Sequence, residues 1–168
     1  MEKNRKPDMV DRLIDQWRGE RPDLELGAMA LIARLKRCSQ LIGPRLDKIY
    51  REHDLSAGDF DVLATLRRSG EPYCLSPTDL FDSLLLTSGT MTHRLKKLEA
   101  KGWIQRLPNV LDARSLLVAL TDDGFKLIDD VVSAHVNNEE DILRSLDADA
   151  RARLDAGLRE LLSILEAG

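Results

Sequence analysis

Ser76-Pro77-Thr78-Asp79-Leu80-Phe81-Asp82-Ser83-Leu84-Leu85-Leu86-Thr87-Ser88-Gly89-Thr90-Met91-Thr92-His93-Arg94-Leu95-Lys96-Lys97-Leu98-Glu99-Ala100-Lys101-Gly102 is the stretch whose reading decides the fold. Serine at a cap position, proline at the first helical position and an acid at the third make a strong helix start, followed by a helix of about seven residues. Leu85-Leu86-Thr87 then gives a tight turn, with Thr87 or Ser88 placed to cap a second helix that Gly102 ends. The second helix is basic on one face and apolar on the other. Two short helices joined in this way match a helix-turn-helix whose second member reads DNA.

One residue of that second helix is misplaced. Met91, Leu95 and Leu98 set its buried stripe at helical spacing, and Arg94 falls inside the stripe. A guanidinium cannot lose its proton in a protein, so against a core it needs a carboxylate, a bound anion or a route back to water. The candidate carboxylate is Asp61, the lone charge in Phe60-Asp61-Val62-Leu63-Ala64-Thr65-Leu66. Since Lys96 and Lys97 occupy the outer face, one helix is expected to serve DNA and an internal site together.

Beyond Gly102 the period changes. Trp103-Ile104-Gln105-Arg106-Leu107 and Ser115-Leu116-Leu117-Val118-Ala119-Leu120 read as two strands around a polar loop from Asn109 to Arg114, a hairpin or wing. Upstream, a helix is expected from about Asp8 to Arg18 with the stripe Val10, Leu13, Ile14 and Trp17. A longer helix follows from about Leu24 to Glu52, carrying Met29, Leu31, Ile32, Leu35, Cys38, Leu41 and Ile42, with a kink at Gly43-Pro44. Ser56-Ala57-Gly58-Asp59 is a capping-box pattern that opens a third helix. Downstream, a long helix begins near Thr121 and reaches towards Leu146, and Asp147 caps a last helix. There Leu154, Leu158, Leu161 and Leu165 are spaced four, three and four apart. That stripe packs either within the subunit or across a two-fold helical dimer interface.

Composition bounds the function. With 168 residues, 43% hydrophobic and 32% charged, the chain suits a mainly helical single domain spanning 1–168. Within it, about 8–55 and 122–168 are expected to be dimerisation helices, and about 56–121 a winged DNA-binding lobe. The net charge of −4 conceals an asymmetry: 94–106 holds five bases and one acid, whereas 122–168 holds five bases and twelve acids. Phosphate attraction acts over roughly a Debye length, about 8–10 Å, so a basic patch on an acidic body is compatible with DNA. No transmembrane stretch or apolar signal core is present, and a cytoplasmic location is expected. Cys38 and Cys74 lack metal or redox spacing, and His53, His93 and His135 lack metal spacing. No metal and no cofactor is expected. The absence of a nucleophile–base pair, phosphate loop or metal motif argues against an enzyme.

The order helix, long helix, helix, helix-turn-helix, wing and two long helices resembles the MarR family of winged-helix transcription regulators, over about Asp8 to Leu165. Within that family the chain is most similar to the PecS and other urate-responsive regulators. The residues that carry this narrower likeness are Gln16-Trp17-Arg18, Glu20-Arg21-Pro22-Asp23, Phe60-Asp61, Leu63-Ala64-Thr65-Leu66-Arg67-Arg68, Thr92-His93-Arg94-Leu95, and Gly102-Trp103 leading to Arg106. The wing signature Asp112-Ala113-Arg114-Ser115 is more generic, and Ala113 stands where many relatives have a second arginine. The resemblance implies a homodimer that represses transcription from a pseudo-palindromic operator in double-stranded DNA and loosens when urate or a related purine binds. It also implies a ligand site of Trp17, Asp61, Arg94 and Arg106.

Each residue has a plainer reading beside the functional one. Trp17 could simply anchor the first helix, Arg94 and Asp61 could be a structural ion pair, and Arg106 could contact phosphate. Thr87, Ser88, Thr90, Thr92, His93, Lys96 and Lys97 form the polar face expected to meet DNA, with Arg114 the wing contact. Cys38 reads as a small core residue, with a peroxide-sensing thiol as the sharper alternative. A cysteine-based redox regulator of the same fold and a helical protein-interaction module are the competing functions. His135, among the acids of the sixth helix, offers a route to pH sensitivity.

Overall fold

The computed structural model describes residues 6–84, 91–109 and 115–167. The chain divides into two compact units, Met1–Arg45 and Leu46–Gly168. Its elements run α1 (Met9–Glu20), α2 (Gly27–Glu52), α3 (Ala57–Arg68), β1 (Cys74–Leu75), α4 (Pro77–Asp82), α5 (Met91–Ala100), β2 (Ile104–Pro108), β3 (Leu116–Leu120), α6 (Asp122–Leu143) and α7 (Ala148–Glu166). The expected kink residue, Pro44, lies inside α2, which stays helical through it.

In the first unit, α1 begins where a carboxylate can serve its free amide groups. Asp8 accepts from the N–H of Val10 at 2.7 Å and of Asp11 at 2.9 Å, while Asp11 accepts from the Asp8 N–H at 2.8 Å. Arg34 of α2 ties both acids together, donating to Asp8 at 3.0 Å and to the Asp11 carboxylate. Val10 and Ile14 then pack with Leu26 into a small core, flanked by Leu13, Ala30 and Ala33. Trp17, on the same predicted stripe, remains 43% exposed.

The second unit holds the main core. Val62, Leu63 and Leu66 of α3 meet Leu80 of α4, Leu95 and Leu98 of α5, Ile104 and Val118 of the sheet, and Ile128 and Val131 of α6. The sheet has the order β1-β3-β2, antiparallel throughout, with Ile104 opposite Leu120 and Pro108 opposite Leu116. Strand β1 pairs Cys74 with Ala119 and Leu75 with Val118, making three strands where a hairpin alone was expected. Two residues are too few to show a period-two pattern, so this strand is invisible until its partner is known. Asn109 and Ser115 close the β2–β3 ladder through a 2.9 Å side-chain hydrogen bond.

Two joints fix the ends of α5 and α6. Gly102, at φ +73°, takes the left-handed turn that releases α5 into β2. Thr121 Oγ1 donates to the Gly102 carbonyl at 2.6 Å and accepts the Gly124 N–H at 3.0 Å, capping α6 against that turn. A Cβ on Gly124 would press into the carbonyl of Trp103, so the close approach of α6 to β2 requires glycine there. Arg67 of α3 donates to Asp129 of α6 at 2.6 Å, and its guanidinium lies over the rings of Tyr73 and Phe125 at 5.1 and 4.5 Å.

Two apolar stripes are uncovered among the described residues. On α2, Met29, Leu31, Ile32, Leu35 and Leu41 are exposed. Cys38 is exposed with them, which corrects its reading as a core residue: periodicity marks a face, not what covers it. On α7, Leu154, Leu158 and Leu165 are exposed and Leu161 is half-buried, and the helix has no fully buried residue.

Candidate functional site

The DNA-reading helix predicted from sequence is described from Met91 onward, and its two faces separate cleanly. Leu95 and Leu98 are buried, Met91 is half-buried, and Thr92, His93 and Lys96 are exposed. The expected contacts Thr87, Ser88 and Thr90, and the wing residues Asp112, Ala113 and Arg114, lie outside the described residues.

Arg94 turns inward as its position in the stripe requires, with its side chain 17% exposed. Its guanidinium lies on Gly58, in the first turn of α3, where any Cβ would collide with it. Glycine is therefore what admits the arginine. A carboxylate that it faces is Asp59, with Arg94 Nε 3.9 Å from Asp59 Oδ1. Asp59 also receives Lys97 Nζ on Oδ2 at 2.6 Å and the Ser56 N–H on the same oxygen at 3.0 Å. Only 2% exposed, this carboxyl would be pushed up by burial, but Lys97 and Ser56 outweigh that and hold it below its ordinary range. In the sequence Asp59 is visible only as the acid of the Ser56 capping box, and its contacts with α5 are not. Its only trace was the reach of a capping-box acid towards a basic helix that the fold would bring beside it.

Asp61 is 6% exposed, one helical turn beyond Gly58 on α3. A further turn along stands Thr65, 1% exposed, whose hydroxyl makes no hydrogen bond among the described residues. Arg106, on β2 opposite Val118, sets its Nε 3.9 Å from Glu99 Oε2 of α5, with its side chain 24% exposed. Asp61, Arg94 and Arg106 thus belong to one compact unit, on three elements that share its core. Trp17 belongs to the other unit.

The remaining candidates divide differently. Lys97, expected on the DNA face, is half-buried by its bond to Asp59, leaving Lys96 as the exposed lysine of α5. Lys101 bonds the Asp54 carboxylate and lies 4.4 Å over the Trp103 ring. His135 accepts or donates at Nδ1 to the Tyr50 hydroxyl at 3.2 Å and meets Glu139 at 3.1 Å through Nε2. Burial, then the nearby carboxylates, push the Tyr50 hydroxyl up to about 12, so it stays protonated. Burial also pushes the Cys74 thiol up, the wrong direction for a reactive thiolate. Among the described residues no cluster of His, Cys, Asp or Glu could hold a metal ion, and no helix is long and apolar enough to cross a membrane. A recess of about 510 Å³ is lined by Gly102, Gln105, Thr121, Asp122, Asp123 and Lys126, two acids against one base.

This geometry agrees with known proteins. Residues 55–116 match the model of the MarR family. The chain is 46% identical over 147 residues to the HTH-type transcriptional regulator PecS of Dickeya dadantii, covering 88% of this chain and 89% of that one. It is 30% identical over 138 residues to the multiple antibiotic resistance protein MarR of Escherichia coli, covering 78% and 92%. Its fold superposes on a crystal structure of a cysteine-to-serine variant of E. coli MarR complexed with operator DNA. That match has a TM-score of 0.64 at 26% identity and covers 93% of this chain and 99% of that one. A basic helix carried on a three-stranded winged lobe, and the length of chain shared with these regulators, make the protein a member of the MarR family of DNA-binding transcription regulators, not an enzyme.

Proposed function

We propose that the protein is a cytoplasmic, ligand-responsive repressor, binding a pseudo-palindromic operator as a homodimer and released by urate or a related purine anion. The observation that carries this reading is Arg94, a 17%-exposed cation on the inner side of the helix whose outer side carries Thr92, His93 and Lys96. One rigid element therefore joins a surface for DNA to an interior arginine. Urate at neutral pH is planar, anionic and rich in acceptors, and a guanidinium offers it two parallel donors. Arg106 supplies a second cation. An anion arriving at Arg94 competes with carboxylates for that cation and repels Asp61, driving α3 against α5. The helix that moves is the one that reads DNA.

The dimer is supported by the uncovered apolar stripe of α7, where Leu154, Leu158 and Leu165 face solvent in the single chain and Leu161 is half-buried. A stripe repeating at four, three and four residues on a 19-residue helix is the pattern of a helix-to-helix seam. A second copy of the same helix matches it across a two-fold axis. Two reading helices then meet successive major grooves about 10 bp apart, so a small shift of α5 changes their spacing.

The test uses duplex DNA from upstream of the protein's own gene in a mobility-shift assay with urate. Arg106→Ala should retain DNA binding while losing most of the urate response, and Trp17 fluorescence should respond to urate. If Arg94→Ala and Arg106→Ala both remain fully urate-responsive, the site is wrong.

A further inference from the structure

Helices α2 and α5 end in the same left-handed turn, but α5 uses glycine for it and α2 does not. At the end of α5 Gly102 stands at φ +73°, with its N–H on the Glu99 carbonyl at 2.9 Å and the Trp103 N–H on the Leu98 carbonyl at 3.1 Å. At the end of α2 the equivalent residue is Asp54, at φ +57°, with its N–H on the Arg51 carbonyl at 3.1 Å and the Leu55 N–H on the Tyr50 carbonyl at 2.9 Å. That backbone position favours glycine, so a side chain there carries a cost that an interaction has to offset. Lys101 supplies the interaction. Its Nζ donates to the Asp54 carboxylate and, at 2.9 Å, to the Asp54 carbonyl, while lying 4.4 Å over the Trp103 ring. These contacts leave the Lys101 side chain 24% exposed, and its ammonium holds the Asp54 carboxyl below the ordinary range.

We infer that Lys101 is a positioning residue: it ties the C-terminal end of the reading helix to the joint between α2 and α3, and so sets the tilt at which Thr92, His93 and Lys96 meet base edges. The inference rests on the reading above that α5 meets operator DNA. Leu95 and Leu98 are buried one turn apart, a contact line about which a ten-residue helix can still rock. A contact beyond the last turn removes that freedom. Lys97, one turn before Lys101, donates to Asp59 at 2.6 Å, so the two lysines hold α5 on either side of the Ser56 cap. By charge alone Lys101 belongs to the basic patch, as a cation for phosphate. In the folded chain its ammonium is taken up by Asp54, and its effect on DNA binding is through the geometry of the helix.

The experiment compares two duplexes, one that the wild-type full chain enriches from a random pool and one of unrelated sequence. Lys101→Met removes the ammonium and keeps an apolar stem over Trp103, and Asp54→Gly removes the carboxylate while suiting the left-handed turn. Each should lower affinity for the enriched duplex about tenfold, or about threefold for each subunit of the proposed dimer, the size of a partly exposed ion pair. Affinity for the unrelated duplex should stay within about twofold of wild type, and the slope of log K against log salt should not change. The double variant should be no weaker than either single one, because all three remove the same contact. Equal losses on both duplexes, with a slope about 1.8 shallower, would place Lys101 on phosphate and overturn the inference. Tighter binding by Asp54→Gly would make Asp54 a competitor of DNA and overturn it as well. Unchanged discrimination between the duplexes, in variants folded by circular dichroism, would give the pair a role in stability alone and equally overturn it. Should Lys101→Met fail to fold, Asp54→Gly decides, since glycine adopts φ +57° without strain. A pool from which the wild type enriches nothing removes the operator reading itself, and this inference with it.

Discussion

Replacing Gly58 by alanine should separate the proposed effector response from stability, because two opposed terms offset each other. A methyl group at this position collides with the Arg94 guanidinium, which is the far end of a flexible side chain and can yield. At 3.9 Å from Asp59 the guanidinium has an attraction of about 4.3 kcal/mol at an effective dielectric of about 20. Displacement by roughly 1.5 Å reduces that to about 3.1 kcal/mol, a loss of about 1 kcal/mol. Alanine recovers at most about 0.5–1 kcal/mol over glycine, the helix-interior value, and Gly58 stands in the first turn of α3. The melting temperature followed by circular dichroism should therefore fall by no more than about 4 °C from wild type. The urate concentration that half-releases DNA should nevertheless rise about tenfold, as a loss of about 1.4 kcal/mol in ligand binding would produce. A melting temperature lowered by more than about 6 °C would show that Arg94 cannot yield. An unchanged urate response would show that the position of Arg94 over Gly58 does not matter to the ligand, and would refute the reasoning.

Three further substitutions test separate parts of the account. Leu158→Asp should leave the single chain folded, since Leu158 is 43% exposed there, while in the proposed dimer it would bury an unpaired charge between subunits at a cost of several kcal/mol. Sedimentation should show monomers and DNA affinity should fall; a stable dimer contradicts the α7 interface. Gly124→Ala sets a methyl against the Trp103 carbonyl, which is backbone and held by the Thr121 N–H at 3.2 Å, so it should cost about 1–3 kcal/mol in denaturant unfolding. No loss of stability would mean that α6 and β2 can part freely. Thr65→Val removes a buried hydroxyl that makes no hydrogen bond among the described residues, so stability should be unchanged or rise by up to about 1 kcal/mol; a clear loss would show that the hydroxyl has a partner.

How far the sequence could be read depended on the kind of signal. Caps are local chemistry, and Asp8, Ser56, Ser76, Thr121 and Asp147 all start helices where their side chains can accept from the first turn. The buried face of α5 followed from spacing alone, and with it the inward turn of Arg94. The role of Asp59 in holding Lys97 was hidden, because it depends on α3 and α5 meeting, and no sequence period encodes which acid meets which base. Strand β1 was hidden for the same reason, as two residues gain their identity only from pairing with Val118 and Ala119. The exposed state of Cys38 shows the converse: a perfect apolar stripe says that a face is to be covered, without saying by what.

The coupling between effector and DNA is tested most directly by measuring urate affinity twice, on the free protein and on its complex with operator duplex. Linkage requires the two ligands to weaken each other by one factor, typically about 5- to 150-fold for a coupling of about 1–3 kcal/mol. Urate should bind the DNA complex more weakly than the free protein, by the same factor by which urate weakens DNA binding. Equal urate affinity with and without DNA, or no urate binding in either state, would contradict it.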